Sequence, residues 1–281
     1  MTGPEDIVIR RIVLALDAAT ESPDSLEAAA ELAERLHAEL VGLFVEDANL
    51  LRSAALPFVR EINLASGQWQ AFEPAAIERD MRARAARARE LVEAAARRRR
   101  LGFSFHVARG EIGREVAAAA GETDLIVLEG LTEILRGRVQ MGSGARAVAR
   151  QTARTVMILR RGALDARNFL VAYEDTPEAD RALLIAARLA AANRATIAVL
   201  VIAADSPKAE ELRERATKVL ARLDVKGSVE ILGEPSLIDL CGFARRIQHA
   251  VLVVGANGTF AKGEAADRLM DRISCPLVLV R

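Results

Sequence analysis

The chain repeats itself, and that constrains its fold more than any other feature. Arg11-Ile-Val-Leu-Ala-Leu-Asp17 returns as Asn168-Phe-Leu-Val-Ala-Tyr-Glu174, at an offset of 157 residues. The register holds without a gap to Val45, which falls on Ile202. It then breaks and resumes at Gly110-Glu111 and Gly233-Glu234, so the second copy is 34 residues shorter between its second and third strands. Asp124-Leu-Ile-Val-Leu128 falls on Ala250-Val-Leu-Val-Val254, Gly142 on Gly263, and Thr155-Val-Met-Ile-Leu159 on Pro276-Leu-Val-Leu-Val280. The period is far too long for a solenoid, so the copies read as tandem domains, residues 1–162 and 163–281.

Each copy alternates short apolar runs with amphipathic segments. Ile9 to Leu16 has the continuous apolar character of a strand buried on both faces. Ser22-Pro23-Asp24 carries a helix-start signal. Ala75 to Arg100 shows helical spacing through Ile77, Met81, Ala85, Ala88, Leu91 and Ala95. The reading is α/β: two tandem doubly wound domains, each a five-stranded, mainly parallel sheet with helices on both faces. The final strands, Thr155 to Leu159 and Pro276 to Val280, are apolar and would sit at sheet edges. Exposed apolar edges invite pairing.

Composition excludes several function classes. Lys plus Arg and Asp plus Glu both number 39, so the basic excess usual in nucleic-acid binders is absent. The arginine-rich stretch Arg79 to Arg100 reads as the solvated face of a helix whose other side is core. Two cysteines, Cys241 and Cys275, make no disulfide framework and fit a reducing compartment. Met1 to Arg10 carry Glu5 and Asp6 and no long apolar run, unlike a signal peptide. The apolar stretches are strand-length and cannot span a membrane. A cytoplasmic protein with no nucleic-acid, membrane or metal partner is expected.

In open parallel sheets, ligands bind beyond the carboxyl ends of the strands. The residues placed there are Asp17, Glu46, Asp47, Gly110 and Glu129 in the first copy. In the second they are Glu174, Gly233 and Gly255-Ala-Asn-Gly258. Glycines let backbone amides approach phosphate oxygens, and a helix N-terminus adds partial positive charge. Neither a Gly-x-Ser-x-Gly elbow nor a Walker-type Gly-Lys-Ser occurs, and no His stands beside Ser or Cys in a motif, so no catalytic set is assigned.

The strand-end acid of Leu14-Ala-Leu-Asp17, the strand exit Leu43-Phe-Val-Glu-Asp47, Gly110-Glu111 before a helix, and Asp124-Leu-Ile-Val-Leu followed by Gly-Ser and a final aliphatic strand recur in one order. In that order, and in its duplication, the chain resembles the universal stress protein family in its tandem two-domain form. The resemblance implies an adenine nucleotide alpha-hydrolase-like fold, with the two domains paired through their last strands as a pseudo-dimer. It implies a stress-response protein that binds or regulates rather than catalyses, with ATP and Mg²⁺ as the cofactor expected of members holding the whole nucleotide motif. That motif is Gly-x-x-Gly, nine residues, then Gly-Ser or Gly-Thr.

Each copy keeps half of it. The first has Gly142-Ser143 but Glu129 and Thr132 in the leading positions. A carboxylate there repels phosphate by about 4 kcal/mol at about 4 Å and an effective dielectric near 20. The second has Gly255 and Gly258, only four residues before Gly263, and Glu264 in place of the hydroxyl residue. By this resemblance the nucleotide-contacting residues would be Asp17, Val45, Gly142 and Ser143 in the first copy, and Glu174, Gly255, Gly258 and Gly263 in the second. Weak or single-site binding is expected. Two alternatives stay open: a weak ATP hydrolase using Asp17 and Ser143, and an interaction protein whose pockets take no nucleotide.

The 34 extra residues lie in an insert, about residues 46–77. It starts at the ligand-bearing rim and carries Leu50, Leu51, Leu56, Phe58, Ile62, Leu64, Trp69 and Phe72. Three readings are open: a lid giving the pocket an apolar lining for a small apolar ligand, a homodimer patch, or a simple extension of the core. Of the two functional readings the lid is favoured over the dimer patch, because the segment starts beside the expected crevice. Deleting residues 50–72 is therefore expected to change ligand binding while leaving the oligomeric state intact. Unchanged binding and an unchanged oligomer by light scattering would exclude both lid and patch.

Overall fold

A computed structural model describes residues 8–16, 23–54, 56, 60–62, 69–71, 74–120, 125–129, 132–135, 138–160 and 166–281. The first copy contributes β1 (Arg11–Leu16), α1 (Pro23–Leu36), β2 (Glu39–Asp47), α2 (Ala48–Ala54), β3 (Arg60–Ile62), β4 (Trp69–Ala71), α3 (Pro74–Arg98) and β5 (Phe103–Gly110). It continues with α4 (Ile112–Ala119), β6 (Leu125–Glu129), β7 (Thr132–Leu135), β8 (Arg138–Met141), α5 (Ser143–Gln151) and β9 (Thr155–Leu159). The second comprises β10 (Asn168–Tyr173), α6 (Pro177–Asn193), β11 (Thr196–Ile202), α7 (Ser206–Arg222), β12 (Gly227–Gly233), α8 (Leu237–Arg246), β13 (Ala250–Gly255), α9 (Glu264–Arg272) and β14 (Leu277–Val280).

Ten strands form one sheet, ordered β12-β11-β10-β13-β14-β9-β6-β1-β2-β5. Within each half every pairing is parallel, and strand order reverses between β1 and β6 and between β10 and β13. The two halves join where β14 runs antiparallel to β9. Met157 faces Val278, its own counterpart in the repeat, with Ile158 opposite Leu277 and Val156 opposite Leu279. A pseudo-two-fold axis therefore passes between Met157 and Val278. The two apolar final strands, edges in each half alone, thus become the centre of the sheet.

Alternation along the central strands sorts the core into two layers. Ile12, Leu14, Met157, Leu159, Val278 and Val280 point to the layer formed with α1, α3, α6 and α7. Val13, Val156, Ile158, Leu277 and Leu279 point to the layer formed with α4, α5, α8 and α9. Such continuous aliphatic runs are what strands covered on both faces require. The outer strands β5 and β12 are more exposed; Val107 on β5 is 53% accessible.

Three local features were not legible beforehand. The stripe of α3 drifts from the expected positions: Leu91 is 41% exposed, and Val92 is fully buried in its place. A strict three-four spacing let the next residue take the core side. A short hairpin, β7–β8, stands between β6 and α5, where a loop was expected. The turns after α1 and α6 pass through left-handed residues that are not glycine, His37 (φ 53°) and Arg194 (φ 51°). Each is followed by an alanine amide reaching back into the helix, Ala38 to Ala33 at 2.9 Å and Ala195 to Ala190 at 2.8 Å.

Several arginines in and just after α3 are charge-paired. Arg84 bonds Asp80 at 2.8 Å, Arg97 bonds Glu93, and Arg98 and Arg99 reach Glu27 and Glu34 of α1. Among the described residues no helix is long and apolar enough to cross a membrane. Fully buried Ile158 beside the seam should be intolerant of truncation. Ile158→Ala is expected to cost about 3 kcal/mol in urea unfolding, while Val107→Ala at the exposed edge changes stability by less than about 0.5 kcal/mol.

Candidate functional site

Each strand-order reversal opens a crevice at the carboxyl ends of its strands, and the chain fills the two crevices differently. In the second half, β10 ends in Tyr173 and Glu174 follows. Its carboxylate accepts the backbone amide of Thr259 at 2.8 and 3.0 Å and the Thr259 hydroxyl at 3.0 Å. Thr259 stands in the loop after β13, one residue past Gly258. A Cβ on Gly258 would lie 2.8 Å from the same carboxylate, so glycine lets the acid seat itself there. The Thr259 amide is thus held by the protein's own anion. Such charge-assisted bonds are about twice as strong as neutral ones.

Gly255 serves a different purpose from the one expected. A Cβ there would lie 2.8 Å from the Ala179 amide and 2.9 Å from the Glu178 carbonyl carbon. Its missing side chain lets β13 pass close to the N-terminus of α6. That N-terminus is already capped, the Thr176 hydroxyl accepting the Ala179 amide at 3.1 Å.

Gly263 (φ 56°) precedes α9 and has open space around it. It lines a cleft of about 440 Å³ at the seam that also takes in Ala256 and Asn257 of the loop after β13, with Arg150, Met270 and Arg281 from around the seam. So of the four residues assigned to the second crevice, Glu174, Gly255 and Gly258 come together, the Gly255 carbonyl accepting the Gly258 amide at 3.1 Å.

In the first half, Asp17 lies outside the described residues. Val45 is buried at the end of β2 and lines a cavity of about 20 Å³, with Leu16, Ile112, Val116, Leu128 and Glu129. That volume holds about one water. Gly142 is the residue before α5, and its carbonyl accepts the Arg146 amide at 3.2 Å. Ser143 is the first residue of the helix, not its cap. Glu46 is buried at the β2 end and receives Arg109 at 2.8 Å, with Glu78 of α3 at 3.4 Å from the same guanidinium. The helix α2 of the insert packs against α3 and β5, on the outer side of this half. Phe58, Leu64 and Phe72 of the insert lie outside the described residues.

Sequence reasoning passed over a polar network beside the second crevice. Tyr173, fully buried, donates to Asp180 at 2.5 Å. Arg215 lies 3.5 Å from Asp180 and 3.4 Å from Asp175, and Lys208 pairs with Asp175 at 2.9 Å. This ties β10, α6 and α7 together next to Glu174. A lone tyrosine ending a buried strand was the available signal. The Lys208 bond holds the Asp175 carboxyl below the usual carboxylate range. Burial pushes the Cys275 thiol up to about 11 and also raises Cys241, so neither is poised as a nucleophile. Among the described residues no three His, Cys, Asp or Glu side chains are grouped to hold a metal ion.

Burial, reinforced by the Asp180 hydrogen bond, raises the Tyr173 phenol well above its ordinary value. Tyr173 is the only tyrosine of the chain, so tyrosinate absorbance reports it alone. The folded protein is expected to show no ionisation at pH near 10, where a free phenol titrates. Because the folded-state value is the higher one, this group's contribution to stability is intact below about pH 10 and falls as pH rises above it. Ionisation at pH near 10 with the fold intact would contradict the arrangement.

No protein-family model matches the chain, and no curated protein matches it. Solved structures do. A universal stress protein from Archaeoglobus fulgidus is similar over 98% of this chain and 98% of its own, at 17% identity and a TM-score of 0.72. A functionally unknown protein from Pseudomonas aeruginosa is similar over 98% of this chain and 93% of its own, at 15% identity and a TM-score of 0.64. Over 98% of its length the chain therefore has the fold of the Archaeoglobus fulgidus universal stress protein structure.

Proposed function

We propose that the chain is a tandem member of the universal stress protein family, a cytoplasmic stress-response protein that binds and regulates rather than catalyses. At most one of its halves holds a nucleotide, and that one weakly. The Glu174–Thr259 contact carries this reading. An incoming phosphate in the second half would meet a carboxylate already bonded to the loop amide and hydroxyl, and would have to displace it. The second half thus does not fit ATP. In the first half, Asp17, Gly142 and Ser143 are the groups left for a nucleotide and its Mg²⁺. Glu129 lines the crevice floor and opposes phosphate there.

The seam cleft supports a second reading, an interaction protein with a non-nucleotide ligand. Its volume of about 440 Å³ is within the range of small-molecule sites. Ala149, Met270 and Leu279 give it an apolar wall suited to a small apolar molecule. Mass spectrometry of molecules that copurify separates this reading from the first.

Calorimetry with Mg·ATP tests the main proposal. The unaltered chain is expected to show no more than one site, weaker than about 10 µM, with phosphate release no faster than a protein-free blank. Glu174→Ala, which frees the Thr259 amide, is expected to add a site or tighten the one present. Two tight sites in the unaltered chain would refute the proposal.

A further inference from the structure

The seam between the halves is symmetric in its backbone but inverted in its charges. Arg160, just after β9, donates to the Met270 carbonyl of α9, and Arg281, its counterpart after β14, donates to the Ala149 carbonyl of α5. Ala149 and Met270 occupy equivalent positions when Gly142 is aligned with Gly263. The same alignment places Arg146 opposite Asp267 and Arg150 opposite Asp271 in the repeat. One helix thus carries two arginines where its twin carries two aspartates.

These four residues meet across the pseudo-two-fold axis. Arg146 lies 2.7 Å from Asp271 and 3.5 Å from Asp267. Arg150 bonds Asp267 through Nε at 3.2 Å and through a second guanidinium nitrogen. The Asp267 side chain is 14% exposed and that of Arg146 21%, so these two charges are partly withdrawn from solvent and interact more strongly than a surface pair, while Arg150 at 59% stays exposed.

Local helix energetics explain only half of the placement: Arg150 in the last turn of α5 and Asp267 in the first turn of α9 suit the helix dipole. Arg146 stands in the first turn of α5 and Asp271 in the last turn of α9, each at the end where the helix dipole disfavours its sign. A tertiary reason is required.

We propose that Arg146, Arg150, Asp267 and Asp271 form a partner-selecting charge code that admits only the unlike half at the β9–β14 seam. Two first halves brought together would set arginines against arginines, and two second halves would set aspartates against aspartates. Like charges juxtaposed at an interface are a strong device against wrong pairing. The aliphatic strands β9 and β14 cannot discriminate in this way, since both are apolar and either could pair with a copy of itself. The code makes the chain close on itself and reject a like half from a second copy.

A charge-swap cycle on the full chain tests this. R146D/R150D and D267R/D271R each make the seam like-charged, while the fourfold variant restores opposite charges with the helices exchanged. Each one-sided variant is expected to melt at least about 5 °C below the unaltered protein, or to fail to fold. The fourfold variant should fold and return to within about 2 °C of the unaltered protein, or above it. In about 1 M NaCl, where screening acts over about 3 Å, the gap between one-sided and fourfold variants should shrink by at least half. A fourfold variant as unstable as the one-sided ones, one-sided variants melting with the unaltered protein, or a gap indifferent to salt would each overturn the proposal.

Discussion

Everything in this molecule depends on two short aliphatic strands that cannot be left uncovered. In isolation β9 and β14 would each present a row of unpaired amides and carbonyls beneath apolar side chains, a template for aggregation. Pairing them antiparallel, with Met157 against Val278, satisfies both edges at once. It also merges two five-stranded sheets into one and makes each core layer continuous across the axis. The remaining edges, β5 and β12, carry fewer buried side chains and can face water.

The seam also decides which surfaces remain for ligands. α5 and α9 are drawn together over it, and β8 of the first half lies against α9 of the second. The segment that separates β6 from α5 is thereby used for contact between halves, while the corresponding loop after β13 holds Glu174. Duplication has freed the two crevices from identical duties. In the first, aliphatic side chains of α4 and α5 line a small cavity with Glu129; in the second, the Glu174 carboxylate binds the Thr259 amide. An internal anion on the loop amides satisfies the backbone as a phosphate would, without the cost of ordering a separate molecule.

The fold was legible because its signals are local and repeated. Ile9 to Leu16 reads as a doubly covered strand, and Pro23-Asp24 as a helix start. The apolar terminal strands predicted their own pairing. The candidate site was less legible. Glu174 was recognised as a strand-end acid, but whether it faces a ligand or the protein depends on Thr259, 85 residues away. Gly255 has the residue type and position of a phosphate-loop glycine, yet the neighbour that requires its missing side chain is α6. A glycine records that something comes close and not what comes close. The Leu91–Val92 exchange on α3 shows the same limit on a smaller scale, since periodicity fixes a face only to within one residue.

By itself the sequence determined the order and type of the elements, the duplication, the parallel architecture and the strands that must meet. These follow from periodicity, capping and apolar run length, which are properties of neighbours along the chain. Only the tertiary structure decided that the Glu174 carboxylate binds the Thr259 amide, that α4 and α5 side chains line a small cavity with Glu129, and that arginines of one half meet aspartates of its twin. Each of these turns on which groups, remote in sequence, come within hydrogen-bonding or van der Waals distance. At that range a carboxylate, an amide and a missing Cβ change role with their partners.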